Sequence, residues 1–158
     1  TPITDEDTGQ TLQDRLADLG GRLLVESLPD YVAGRLIPQP QPAEGVTYAR
    51  KITREDGRLD WSQPARVLWQ RLRAFTPWPG AYALIPHEPR PKLLKIHAAD
   101  PAATPGGTPP GTVISGGEDG LQIACGEGAL RLMEVQPEGS RRMTAASFLA
   151  GHRITRLE

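Results

Sequence analysis

Apolar residues recur at helical spacing near the start of the chain. Leu12, Leu16, Leu19, Leu23, Leu24 and Leu28 draw one stripe along a predicted helix. Thr8 or Thr11 caps its start, and Asp5, Glu6 and Asp7 lie at the positive end of its dipole. The pattern runs through Gly20-Gly21, which weakens a helix without stopping it. Pro29 is expected to start a short further turn carrying Tyr31 and Val32, and Gly34 to end it. Such a stripe must pack on something, and little else in the chain is patterned to receive it.

The pattern then changes. Pro38-Gln-Pro-Gln-Pro42 reads as a stiff, polyproline-like linker. An extended stretch, Val46 to Arg54, follows, with a turn at Glu55-Asp-Gly-Arg58. A second helix is predicted with Ser62 as cap and Pro64 in its first turn. Ala65, Leu68, Leu72 and Phe75 form its apolar face, with Arg66, Arg71 and Arg73 as its charged positions. Pro77 stops the helix, and Pro79-Gly80 makes a turn. Trp78, fixed between two prolines, reads as the packing anchor of a rigid corner; a base-stacking role needs an exposed ring.

Five strand-like runs come next: 81–85, 92–98, 112–115, 121–125 and 129–135. Gly- and Pro-rich turns at 105–111, 116–120 and 126–128 separate the later ones. Thr144 caps a last short helix through Ala150, with Gly151 as its stop. The predicted fold class is α+β: a five-stranded, oligonucleotide-binding-like β-barrel with flanking helices. No internal repeat is present.

Composition narrows the class. The 158 residues are 38% hydrophobic and 23% charged, which suits a soluble globular protein. One cysteine excludes an intramolecular disulfide and fits a reducing compartment. No apolar run approaches the ~20 residues of a membrane span, and no signal-peptide pattern opens the chain. The chain does not begin with Met and is expected to be part of a longer protein. Residues 1–60 carry 7 Lys/Arg against 11 Asp/Glu, a net of −4; residues 61–158 carry 11 against 8, a net of +3. The second half is the side on which a polyanion would be met, though +3 is small for a nucleic-acid domain.

Candidate chemistry is sparse. Asp7-Thr8-Gly9 spells the triplet of aspartic proteases, but it precedes a helix instead of following a hydrophobic strand, so it reads as a helix start. His87, His97 and His152 have no partner at metal-ligand spacing, and Cys125 has no neighbouring His. Each is assigned to surface or packing. Lys92 and Lys95, three apart on one strand, face opposite sides. The possible anion contacts are Arg50, Lys51 and Arg54 on the extended stretch, and Arg141-Arg142 after Gln136-Pro-Glu-Gly-Ser140.

Several motifs fall in one order: Leu19-Gly-Gly-x-Leu-Leu, Ala49-Arg-Lys-Ile52, Leu59-Asp-Trp-Ser62, Arg73-Ala-Phe-x-Pro-Trp-Pro-Gly80, Pro110-Gly-Thr-Val113, Gly126-Glu-Gly-x-Leu130, Leu132-x-x-Val-Gln136-Pro-x-Gly139 and Met143-x-Ala-x-x-Phe-Leu-x-Gly151. Together they resemble the C-terminal half of the bacterial methionyl-tRNA formyltransferase family. The resemblance implies that residues 1–37 end a Rossmann-like catalytic domain, 38–60 form a linker and 61–158 form an OB-like tRNA-binding domain. It implies formyl transfer from 10-formyltetrahydrofolate, the co-substrate of the full-length enzyme, to the amino group of initiator methionyl-tRNA. The family's catalytic Asn, His and Asp and its folate motif match no position here, so no catalytic, cofactor-binding or metal residue is named, and the chain alone is expected to be inactive. Arg50, Lys51, Arg54, Arg73, Arg141 and Arg142 become the expected tRNA contacts. A cytoplasmic monomer without membrane attachment is expected. Two alternatives stay open: a relative that formylates an amino-sugar nucleotide without RNA, and a stand-alone RNA-binding module.

Overall fold

A computed structural model of the chain describes residues 1–104, 106–117 and 120–158. Its elements are α1 (Gly9–Val32), α2 (Ala65–Ala74), β1 (Ala81–Ile85), β2 (Lys92–Ala102), β3 (Val113–Gly117), β4 (Gly120–Ala124), β5 (Ala129–Pro137), β6 (Met143–Thr144) and α3 (Ala145–Gly151). The class is α+β. Pro105 of the predicted turn 105–111, and Glu118 and Asp119 of the predicted turn 116–120, lie outside the described residues. The chain divides into two units, Thr1–Ile52 and Thr53–Glu158.

The first unit is a capped helix with extended flanks. Thr8 accepts from the Thr11 amide and Thr11 Oγ1 accepts from the Thr8 amide, a reciprocal capping box. Asp7, one residue earlier, is buried and accepts from Thr4 N and Thr4 Oγ1, and from both terminal nitrogens of Arg15 at 2.8 Å. Arg15 also donates to the Pro2 carbonyl, so the first residues are folded back onto the first turns. The protease-like triplet is thus a helix start. α1 runs unbroken through Gly20-Gly21 and through Pro29, where the sequence predicts a restart. Proline removes one amide, but Ala33 N still donates to the Pro29 carbonyl, and the helix ends at Gly34 in the left-handed region, φ +70°. No residue of α1 is buried; Leu23 is 64% exposed and Leu24 61%. Residues 38–52 form neither helix nor strand and are exposed.

The second unit holds the core. Its sheet is antiparallel, ordered β1-β2-β5-β4-β3, with β6 pairing the far end of β5. β5 therefore carries Leu130 and Leu132 between β2 and β4, and Val135 between β2 and β6. Alternation turns Leu130 and Leu132 inward with Leu94, Leu121 and Ile123, and a register shift between β2 and β5 brings Val135 to the same side, against Leu68 and Leu72 of α2 and Phe148 of α3. Each fully buried Leu or Phe contributes about 1.5–3 kcal/mol. α3 is capped as predicted, with Thr144 Oγ1 accepting from Ser147 N.

The cap of α2 differs from expectation. Ser62 donates its hydroxyl to Asp60 Oδ1 at 2.7 Å and lies two residues before the N-cap position, so no side chain caps the helix. Pro64 occupies the N-cap position, and the Glu127 carbonyl takes the Ala65 amide instead. Among the described residues the sheet has six strands where the sequence predicts five, because β6 is too short to show alternation. Among the described residues no ladder joins the edge strands β1 and β3. The 155–158 segment hydrogen-bonds to both sides: Glu158 exchanges two bonds of 2.8 Å with Leu84, Leu157 N donates to Gly111 O, and Val113 N donates to Thr155 O.

Candidate functional site

One groove of the second unit gathers an exposed aromatic ring and two cations. It begins at the end of α2. Thr76 Oγ1 donates to the Leu72 carbonyl and Gly80 N to the Phe75 carbonyl, closing the 75–80 turn with Gly80 at φ +80°. Pro77 and Pro79 flank its tip, where Trp78 is 57% exposed. Trp78 is therefore no core anchor. Two hydrogen bonds close the turn onto the end of α2 and hold its tip outward, while the core is filled from α2, α3 and the sheet.

Residues 54–57 form the opposite wall. Thr53 N and Oγ1 both donate to the Asp56 carboxylate, which sets a 3-10 turn over Glu55–Gly57. Arg71 of α2 donates to the Asp56 carbonyl at 2.9 Å and lays its guanidinium over Phe75. Gly57 is buried so close to the 75–80 turn that a Cβ there would collide with the Gly80 carbonyl oxygen. Arg54, the residue before this turn, is exposed beside Trp78.

The floor is the outer face of β1 and β2. Ala81 and Ala83 point inward, so Tyr82 and Leu84 point out. Tyr82 pairs with Lys95, and Lys95 with Gln136 on β5, placing the three in a row roughly 10 Å long. Gln136 Oε1 accepts from His97 Nε2–H, 3.0 Å away, and Gln136 Nε2 donates to the Ser140 carbonyl. The row thus leads from the groove to the loop that carries Arg141 and Arg142. The groove encloses about 460 Å³ and is lined by Arg54, Glu55, Trp78, Tyr82, Leu93 and Lys95. Glu55 is held below the usual carboxylate range by its own amide and by Thr53.

The residues expected from the sequence are dispersed. Arg50 and Lys51 are exposed in the first unit, Arg50 donating to the Lys51 carbonyl. Arg54 lies in the groove. Arg73 is half-buried on α2 with its guanidinium 4.1 Å from the Trp69 ring, which Arg66 also covers at 4.5 Å. Arg141 is exposed, and Arg142 is ion-paired with Glu134. Sequence reasoning missed Trp78, Tyr82 and Lys95 as one set. The alternation of 81–85 held the signal, with two alanines sharing one face and Tyr82 on the other, but the register to Lys95 is a tertiary fact.

Other candidates are weaker. A second cavity of about 440 Å³ sets Arg58 and Arg156 against the carboxylates Asp60 and Glu158, and its aromatic, Trp61, is buried. Cys125 is buried, its thiol pushed up to about 11 by burial. His152 stacks on Phe148 and donates Nδ1–H to the Phe148 carbonyl. Among the described residues no group of three or more His, Cys, Asp or Glu could hold a metal ion, and no helix is long and apolar enough to cross a membrane.

The family model for the formyl transferase C-terminal domain matches residues 51–153, from the start of the groove wall to the end of α3. The chain belongs to this family. Curated relatives agree. It is 49% identical over 152 residues to a methionyl-tRNA formyltransferase of Myxococcus xanthus, covering 96% of this chain and 47% of that protein. It is 47% identical to one of Delftia acidovorans, covering 95% and 45%, and 45% identical to one of Stenotrophomonas maltophilia, covering 99% and 50%. The chain spans about half the length of the curated relatives it matches. Among solved structures, a HypX variant from Aquifex aeolicus superimposes with a TM-score of 0.64 at 19% identity, over 96% of this chain and 27% of that one. HypX in complex with tetrahydrofolic acid gives 0.55 at 22%, over 81% and 22%. At these identities the likeness shows the fold of the formyl transferase C-terminal domain.

Proposed function

We propose that this chain is the C-terminal half of a methionyl-tRNA formyltransferase and that its part is to position the tRNA. The observation that carries this is 45–49% identity to proteins of that name across 95–99% of the chain. In this reading residues 1–37 end the catalytic domain, 38–60 are a linker whose last residues fold with the second unit, and 61–158 are the tRNA-binding domain. That domain is of the OB-like barrel kind, with the 155–158 segment standing between β1 and β3 in place of a direct ladder. The exposed stripe of α1 is the face that the rest of the catalytic domain would cover.

The transfer joins the formyl carbon of 10-formyltetrahydrofolate to the methionyl amine and releases tetrahydrofolate, using residues outside this chain. The chain would supply cations for phosphates: Arg50, Lys51, Arg54, Arg73, Arg141 and Arg142. Such contacts fix register on the RNA and carry no sequence information directly. Arg73 and Arg142 already have partners in Trp69 and Glu134, so contact with phosphate would be shared or exchanged. A cytoplasmic, monomeric enzyme fits this role.

The test is a formyl-transfer assay on the longer protein that contains this chain, offered 10-formyltetrahydrofolate with initiator methionyl-tRNA or with an amino-sugar nucleotide. Formyl-methionyl-tRNA is the expected product. Transfer to the sugar alone would replace the RNA reading by a sugar-nucleotide one.

A further inference from the structure

We infer that the groove beside Trp78 is a stacking site for one unpaired nucleobase, with Arg54 and Lys95 receiving the phosphates on either side of it. The inference rests on the proposed RNA-binding role and adds to it a place where a base, and not only the backbone, is held.

Three observations lead there. First, a large ring is 57% exposed on a turn that cannot withdraw it: two prolines and two closing hydrogen bonds fix the 75–80 backbone. Nothing in the chemistry of a Pro-x-Pro-Gly turn asks for indole at its tip. Secondly, the ring borders a groove of about 460 Å³, within the usual range of small-molecule sites. Thirdly, its lining is mixed in the way a nucleotide requires. Tyr82 supplies a second aromatic surface, Arg54 and Lys95 supply charge at the rim, and Glu55 supplies one ionised acceptor.

The chemistry selects among occupants. Paired RNA buries its base faces, so only a looped-out or single-stranded nucleotide can offer one to Trp78. Glu55 would repel a phosphate placed against it but accepts hydrogen bonds from an exocyclic amino group. Cytosine carries that amino group where uracil has a carbonyl oxygen, so of the two pyrimidines cytosine is favoured. The groove is separate in kind from the other basic positions: Arg66 and Arg73 are laid on Trp69, and Arg142 is paired with Glu134, leaving no open ring at either place.

The experiment is titration of the 158-residue chain into fluorescein-labelled hexacytidylate RNA, read by fluorescence anisotropy, alongside a labelled initiator tRNA transcript at two salt concentrations. The expected result is a rise in anisotropy with hexacytidylate, weaker binding of hexauridylate, and a loss of about 5- to 150-fold in affinity for Trp78→Leu at unchanged melting temperature. Trp78→Phe, which keeps a smaller ring, should restore most of the binding. Glu55→Gln should remove the preference for cytosine. If the chain binds tRNA with steep salt dependence but Trp78→Leu and Trp78→Phe bind as the parent does, stacking is overturned and the phosphate-contact reading stands. Equal weakness of both variants also overturns it, since a ring would then not suffice. No binding of either RNA at low salt removes the RNA reading and this site with it.

Discussion

α1 and α2 carry similar apolar patterns and meet opposite fates. Leu12, Leu16, Leu19, Leu23 and Leu28 repeat along α1 as cleanly as Ala65, Leu68 and Leu72 along α2, yet α1 buries none of its residues and α2 buries all three. What differs is what the chain offers as a cover. α2 is followed by strands whose inward residues, Leu94, Leu130 and Leu132, fill the space against it. Periodicity shows that a face must be covered; only the content of the rest of the chain shows whether the cover is at hand. α1 holds its shape by local means instead, through a capping box and the Asp7–Arg15 pair.

The contrast can be broken by mutation. Phe148→Ala should give the largest effect, a loss of about 3–5 kcal/mol on urea unfolding of the second unit, because it empties a fully buried position. Gly57→Ala should cost about 1–3 kcal/mol by overpacking against the Gly80 carbonyl, and should also move the Trp78 turn, visible as a shifted tryptophan emission. Trp78→Ala should cost under about 1 kcal/mol, since the ring lies mostly outside; a loss as large as that of Phe148→Ala would mean the corner is an anchor after all. Leu23→Ser on α1 should change the stability of the chain alone by under about 0.5 kcal/mol. If the proposed catalytic domain covers the stripe, the same change should be costly in a chain that includes that domain, and equality in the two settings would show that nothing covers it.

Acid sharpens the comparison further. Arg15 and the Thr4 amide hold the Asp7 carboxyl well below its usual range. A carboxyl lowered on folding adds stability that is complete above its unfolded value, near ~4, and is lost as pH falls below that toward the folded value. Far-ultraviolet circular dichroism should therefore show part of the helical signal fading below pH ~4, with Asp7→Asn lacking that acid-linked loss. A parent whose helical signal is flat between pH 5 and 2 would contradict the assigned role of the pair.

Much of this architecture is legible in the sequence. α1, α2, α3 and the first five strands follow from periodicity and from Gly and Pro punctuation, because those signals are local. β6 is two residues long and carries no period. Ser62 reads as the cap of α2, but the helix begins at Ala65 with Pro64 as its N-cap, a start set by the Glu127 carbonyl from a distant turn. Trp78 shows the limit most clearly. Two prolines announce a tight corner, and the corner is there, but the side to which it turns its ring depends on how the turn closes onto the end of α2. Of the basic positions expected to act together, Arg54 alone lies in the groove, because the register that brings Lys95 beside Tyr82 belongs to the sheet and not to any one segment.

The 155–158 segment bears on more than stability. An open sheet presents two rows of unpaired amides and carbonyls, and each row is a template on which another chain can add itself. With Glu158 bonded to Leu84, and Leu157 and Thr155 to Gly111 and Val113, four residues shield part of both rows at once. A chain shortened by those four residues would lose the buried Leu157 from its core and gain two adhesive margins at once, so self-association at high concentration would accompany its loss of stability.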